Sequence, residues 1–257
     1  MQDDTVQSGE NKRYVRLLLG RTNVVLFLVR RLTWILIHIE KLICGVRWHG
    51  RRMERLSGTS TPVIFAANHC SHMDTPIIQM CLPGRYEHTT IVLASKEVFG
   101  RRSQGSLLVR FRQWWVHYYV VRAFMAIPLY RSRNHREWIR QAEQVLKGDR
   151  NLLIYPEGTR SRDGRMNNFR TGVGLLAIRT GVPVVPVHVS GTSGVLPPGA
   201  KWPRPGNISV TCGSPIIAQE QESAVEFTSR IQHSVNSLET EVESDDSVIL
   251  EHVQGAD

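Results

Sequence analysis

Short apolar runs bounded by glycine, proline and polar residues recur along this chain, and they alternate with stretches whose apolar residues fall three or four apart. VRWHG (46–50) reads as a short strand, and PVIFAANH (62–69) as a buried one, too short for a helix. TPIIQMCL (75–82) predicts a helix that stops at Pro83-Gly84. TTIVLAS (89–95) is β-branched and strand-like, and the aromatic stretch 106–124 is expected to be helical. A strand over 126–131 precedes a polar helix over 134–148 that closes on Gly148. NLLIYPE (151–157) is another buried strand, 169–181 a helix, and 182–192 and 207–216 strands. Phe227, Ile231, Val235, Leu238 and Val242 then predict an amphipathic helix, and the acidic residues beyond it are expected to fray. Strands alternating with helices mean an α/β domain whose central sheet is mixed and largely parallel, flanked by helices.

The first 45 residues depart from that rhythm. VVLFLVRRLTWILIHIEKLICGV (24–46) is strongly apolar but interrupted by Arg30-Arg31 and Glu40-Lys41. A spanning helix needs about 20 apolar residues with few charges, and each uncharged piece here is shorter. No small-residue cleavage site follows, so a signal peptide is not expected. Basic residues flanking Leu26, Phe27, Trp34 and Leu36 suggest a helical hairpin lying in a membrane interface, although a core helix pair has the same composition. The chain thus divides into basic amphipathic helices (1–45), an α/β domain (46–218), and a C-terminal amphipathic helix with an acidic tail (219–257).

Charge sharpens this division. The formal net charge is +9, with ten Lys/Arg against one acid from Asn11 to Arg52, and seven arginines against none from Arg101 to Arg133. An anionic partner follows: a membrane surface, a phosphorylated substrate or nucleic acid. Four scattered cysteines without a CxxC pair suggest neither a zinc ribbon nor a disulfide framework, and fit a reducing compartment.

In open α/β sheets functional groups gather beyond the carboxyl ends of strands, and two polar constellations sit at such ends. The first is FAANHCSHMD (65–74). Histidine is the side chain best suited to general-base work near neutral pH, and a carboxylate on one ring nitrogen fixes its tautomer and orientation. The gap between His69 and Asp74 lets a tight turn bring them together. On spacing alone, Asp74 could equally be a helix cap. His69, His72 and Asp74 could also be metal ligands, but no HExxH or Cys pair accompanies them, and no GxSxG elbow marks a nucleophilic serine. The second constellation is YPEGTRSRDGR (155–165), where Gly158 allows a close backbone approach and Arg160, Arg162 and Arg165 follow. Guanidinium forks suit phosphate, and Glu157 is placed to orient Arg160.

Asn68-His69-x4-Asp74, followed about ninety residues later by PEGTRS, resembles the glycerolipid acyltransferase superfamily, best known through the 1-acyl-glycerol-3-phosphate (lysophosphatidate) acyltransferases. VLASKEVFG with Lys96, MAIPLYRS ending at Arg131, and GVPVVPVHVSGT with Pro183 and Pro186 are similar to further blocks of the family in the same order, so the resemblance runs from about residue 46 to 217. Either motif alone is weak, whereas the joint pattern is specific. The resemblance implies the glycerolipid acyltransferase fold, with residues 46–218 as catalytic domain. It implies acyl-CoA or acyl-carrier protein as donor and 1-acyl-glycerol-3-phosphate as acceptor, giving phosphatidic acid; the alternatives are a related acyltransferase acting on glycerol 3-phosphate, another lysophospholipid or an amino-acid lipid, or a non-catalytic basic module for membrane or nucleic acid. It also implies no metal or other cofactor, no nucleic-acid partner, and peripheral or monotopic attachment to the cytoplasmic face of a membrane. Carried over, His69 and Asp74 are catalytic, while Asn68, Lys96, Arg131, Glu157, Gly158, Thr159 and Arg160 serve substrate binding. The block VRFRQWWVHYYVVRAF departs from the family's plainer helix in being aromatic and basic.

Overall fold

A computed structural model describes residues 24–59, 62–95, 124–129, 135–161, 164–197, 200 and 202–254. Seven strands form one sheet: β1 (Val46–Arg51), β2 (Ile64–Ala67), β3 (Thr90–Ser95), β4 (Ala126–Leu129), β5 (Asn151–Ile154), β6 (Val184–Ser190) and β7 (Gly206–Cys212). Their order across the sheet is β1-β7-β6-β2-β5-β3-β4, with every neighbouring pair parallel except β6–β7. The sheet is therefore mixed and mostly parallel, as the alternation of strand and helix patterns predicts.

Both faces are covered, which is why β2 and β5 are buried at every position rather than at alternate ones. Ile64, Ala66, Leu152, Ile154 and Val184 point to one side, where α4 (His135–Lys147), α5 (Gly172–Thr180) and α7 (Ala224–Gln254) supply Ile139, Val173, Leu176, Phe227, Ile231 and Val235. Phe65, Ala67, Leu153, Val185 and Val187 point to the other, against Ile77 and Ile78 of α2 (Asp74–Cys81) and Tyr86 of α3 (Gly84–Glu87). Each large side chain so buried contributes about 1.5–3 kcal/mol. A short helix α6 (Thr192–Val195) follows β6.

Residues 24–44 form one continuous helix, α1 (Val24–Cys44), ended by Gly45 at φ 65°, while the rest of the expected hairpin, residues 1–23, lies outside the described residues. The charged pairs interrupt the apolar run but not the hydrogen-bond ladder, because Arg, Glu and Lys are good helix formers. Trp34 does not face outward: it is buried, with Nε1 donating to Glu87 Oε1 at 2.6 Å and its ring 6.2 Å from Phe124. Leu28, Leu32, Ile35, Leu36, Ile39 and Leu42 make the outward apolar stripe instead. Among the described residues no helix is long and apolar enough to cross a membrane. At the other end, α7 continues through the acidic residues to Gln254, since no glycine or proline interrupts it. Its first half belongs to the main core, where Phe227, Ile231 and Val235 pack against the sheet.

Candidate active site

Strands β2 and β5 are neighbours and parallel, so the loops leaving their carboxyl ends emerge side by side. One carries His69, the other Glu157 to Ser161. Two backbone bonds join them: His69 N–H donates to Glu157 Oε1 at 2.7 Å, and Ser161 N–H donates to the His69 carbonyl at 2.8 Å. The other Glu157 oxygen accepts from the backbone N–H and side-chain amide of Asn167, both at 2.9 Å. Glu157 is buried and both oxygens are spent, so it staples the two loops together rather than orienting Arg160 or meeting substrate. Burial raises its pKa above the ordinary carboxylate value, opposed by those N–H donors.

Asn68 has a similar office. Its Nδ2 donates to the Val189 carbonyl at 2.9 Å and its Oδ1 accepts from the Val189 N–H at 2.7 Å, which extends the β2–β6 ladder by one side chain. Buried and fully engaged, it anchors the loop and does not present itself to a ligand.

At the first turn of α2, Asp74 is completely buried. Its Oδ2 receives His69 Nδ1 at 2.7 Å, Cys70 N–H at 2.7 Å and Ser71 N–H at 2.9 Å. Asp74 is not the helix cap that the sequence also allowed, since Met73 is the N-cap and no side chain caps it; the carboxylate instead holds the preceding turn and the imidazole with the same oxygen. With the proton on Nδ1 facing Asp74, Nε2 is left as the basic nitrogen, on a side chain 20% exposed. Tyr155, the last residue before Pro156, stacks on the imidazole at a centroid distance of 4.0 Å and 18° between planes. Its hydroxyl pairs with Thr75 Oγ1 at 2.8 Å. Sequence reading missed this contact, although strand alternation after Ile154 turns Tyr155 toward the face that carries α2.

Cys70, next to the histidine, is no nucleophile: burial and the charges of Asp74 and Glu157 push its thiol up to about 12. His72 is exposed, and its pKa lies below the usual histidine value, through partial desolvation and then the positive charges of Arg160 and His69. That coupling puts the Arg160 guanidinium in the electrostatic neighbourhood of the histidines. Thr159 and Arg160 are exposed beside Gly158, whose φ of 72° is the left-handed conformation glycine favours. A Cβ on Gly158 would lie 2.8 Å from Arg170 Nε, so Arg170 is a further cation against this loop. Lys96, Arg131 and Arg162 lie outside the described residues, as does the aromatic stretch up to residue 123. A cavity of about 630 Å³ opens between α1 and α2–α3, lined by Trp34, Ile35, Ile39, Leu42 and Met80 with Arg31, His38 and Glu87. Met80 follows Asp74 by six residues in α2, about 9 Å along the axis at 1.5 Å per residue.

Residues 46–190, more than half of the chain, match the model of the Acyltransferase family. A chloroplastic 1-acyl-sn-glycerol-3-phosphate acyltransferase of Brassica napus is 27% identical over 188 residues, 72% of this chain and 49% of the relative. A Pseudomonas aeruginosa 1-acyl-sn-glycerol-3-phosphate acyltransferase is 26% identical over 222 residues, 84% of this chain and 78% of the relative. The chain spans about half the length of the plant relatives it matches. The crystal structure of the 1-acyl-sn-glycerophosphate acyltransferase PlsC from Thermotoga maritima shares the fold, with a TM-score of 0.58 at 24% identity over 81% of this chain and 80% of that one. With the matched region spanning β1 to the end of β6, and so both loops of the site, the chain belongs to the acyltransferase family.

Proposed function

We propose that this protein transfers a fatty acyl group from a thioester donor, acyl-CoA or acyl-carrier protein, to the free hydroxyl of 1-acyl-glycerol-3-phosphate, forming phosphatidic acid. The observation that carries the reading is the 2.7 Å bond between His69 and a fully buried Asp74, at the mouth of a loop pair that ends in exposed Arg160. His69 Nε2 takes the proton of the acceptor hydroxyl while Asp74 stabilises the imidazolium. The acceptor oxygen attacks the thioester carbonyl, the C–S bond breaks, and the imidazolium returns its proton to the departing thiolate. Arg160 binds the acceptor phosphate, aided by Lys96 and Arg131 as the family resemblance implies; it directly precedes Ser161, whose N–H is bonded to the His69 carbonyl. The chemistry calls on no metal. That the Brassica napus and Pseudomonas aeruginosa relatives are 1-acyl-sn-glycerol-3-phosphate acyltransferases supports this acceptor.

The outward apolar stripe of α1, with a basic N-terminal region, suits attachment to an anionic membrane surface from the cytoplasmic side, and the neighbouring apolar cavity suits an acyl chain. Purified protein given acyl-CoA should release free thiol only when lysophosphatidate is present. Thiol release without acceptor would show a thioesterase, and none with any lysophospholipid would show a non-catalytic membrane module.

A further inference from the structure

The mechanism so far leaves one aromatic contact without a use. Asp74 meets the His69 ring edge-on at Nδ1, which fixes where that nitrogen sits but leaves the ring free to rock about the hydrogen-bond axis. Tyr155 lies across the face of the ring, 4.0 Å away and tilted by only 18°. The phenol cannot drift, because it directly follows β5 and Thr75 Oγ1 holds its hydroxyl at 2.8 Å. Thr75 follows Asp74 in α2, so one helical turn supplies both restraints. The register explains the meeting: Ala66 pairs with Ile154, which sets Tyr155 beside the residues that lead from β2 into the histidine loop.

We propose that Tyr155 is a positioning residue of the acyl transfer, clamping the His69 imidazole from its face while Asp74 clamps it from its edge, and lending its π-face to the positive charge the ring acquires. Offset or parallel aromatic contacts of this kind are favourable, and a cation against an aromatic face more so. The phenol itself stays protonated, since burial and the charge of Asp74 hold its pKa well above the ordinary value. It therefore acts as an aromatic surface and not as an acid or base. The role rests on the acyl-transfer reading of the His69–Asp74 pair.

The test uses the full chain and three variants. Tyr155→Phe keeps the ring and loses the hydroxyl, whereas Tyr155→Leu and Tyr155→Met lose the ring, the latter with a flexible side chain that fills the space. Proton resonances of the His69 ring, assigned against His69→Gln, report the stack directly. They should lie upfield in wild type and Tyr155→Phe, and move downfield in the two non-aromatic variants. With acyl-CoA and lysophosphatidate, kcat should fall about tenfold in Tyr155→Leu and Tyr155→Met at unchanged KM, and by no more than about threefold in Tyr155→Phe. A folded non-aromatic variant with wild-type kcat overturns the proposal. So does a rise in KM at constant kcat, which would make Tyr155 a wall of the substrate site. A wild-type protein that acylates no acceptor defeats the acyl-transfer reading and this role with it, whereas active wild type beside equally active variants defeats the role alone.

Discussion

Replacing Asp74 by Asn separates the two duties of that carboxylate. All three donors converge on Oδ2, from His69 Nδ1 and the N–H groups of Cys70 and Ser71, while Oδ1 is buried with no partner among the described residues. An amide whose oxygen takes the Oδ2 position can keep all three bonds and the tautomer of His69. Its NH2 then occupies the buried Oδ1 position without an acceptor, at a cost of about 1–3 kcal/mol in stability. The reverse orientation sets NH2 against three donors and is excluded. What the amide cannot supply is the negative charge. An anion 2.7 Å from an imidazolium is worth about 6 kcal/mol at an effective dielectric constant near 20. If an amide dipole retains a third to a half of that, about 3–4 kcal/mol is lost from the transition state, or roughly 10²–10³ in kcat. Thermal unfolding measures the first term and acyl-CoA turnover with lysophosphatidate the second. A variant with a lowered melting temperature but kcat within tenfold of wild type would show that Asp74 serves the turn alone.

Arg160→Lys should raise the KM for lysophosphatidate several times more than that for the acyl donor, because the ammonium cannot reproduce a bidentate fork; the reverse pattern moves Arg160 to the donor side. Gly158→Ala should destabilise the fold by about 1–3 kcal/mol and lower turnover, since alanine is strained at φ 72° and its Cβ would strike the Arg170 guanidinium; an unchanged melting temperature refutes this. Glu157 has a pKa above its unfolded value of 4.5, so the folded state holds its proton longer, and its contribution to stability falls as pH rises from 4.5 through the raised value. Glu157→Gln should flatten the fall in melting temperature across that window and lower kcat by freeing the His69 loop, and an unaltered slope would assign the pH dependence elsewhere.

The alternation of apolar runs identified the strands of the described region because a sheet covered on both faces leaves few positions polar. Periodicity could not reveal that α1 runs straight through Arg30-Arg31 and Glu40-Lys41, since charges end an apolar run without ending a helix. Nor could it foretell which way Trp34 faces, for that depends on Glu87 and Phe124, which lie far along the chain. The His69–Asp74 contact was accessible because both residues lie in one turn. The Tyr155 stack and the bond from His69 N–H to Glu157 needed the β2–β5 register, which no local pattern contains.

The same register explains why polar residues clustered in the two motifs divide so unevenly between chemistry and support. Strand ends leave backbone groups without ladder partners, and buried ones must find side chains. Asn68 answers both groups of Val189, Asp74 answers the N–H groups of Cys70 and Ser71, and Glu157 answers those of His69 and Asn167. In a sequence these residues look like ligands for a substrate, because the residue types that satisfy a backbone are the same ones that bind polar molecules. Their burial decides the matter: Asn68, Asp74 and Glu157 are each at most 3% exposed, whereas the His69 side chain is 20% exposed and Arg160 lies open to solvent. The rigid part of the site is thus made from carboxylates and an amide turned inward. The part left open to a ligand reduces, among the described residues, to one imidazole nitrogen and the cations beside it. A preorganised base of this kind loses little to reorganisation as charge develops, which is where such a site gains its rate.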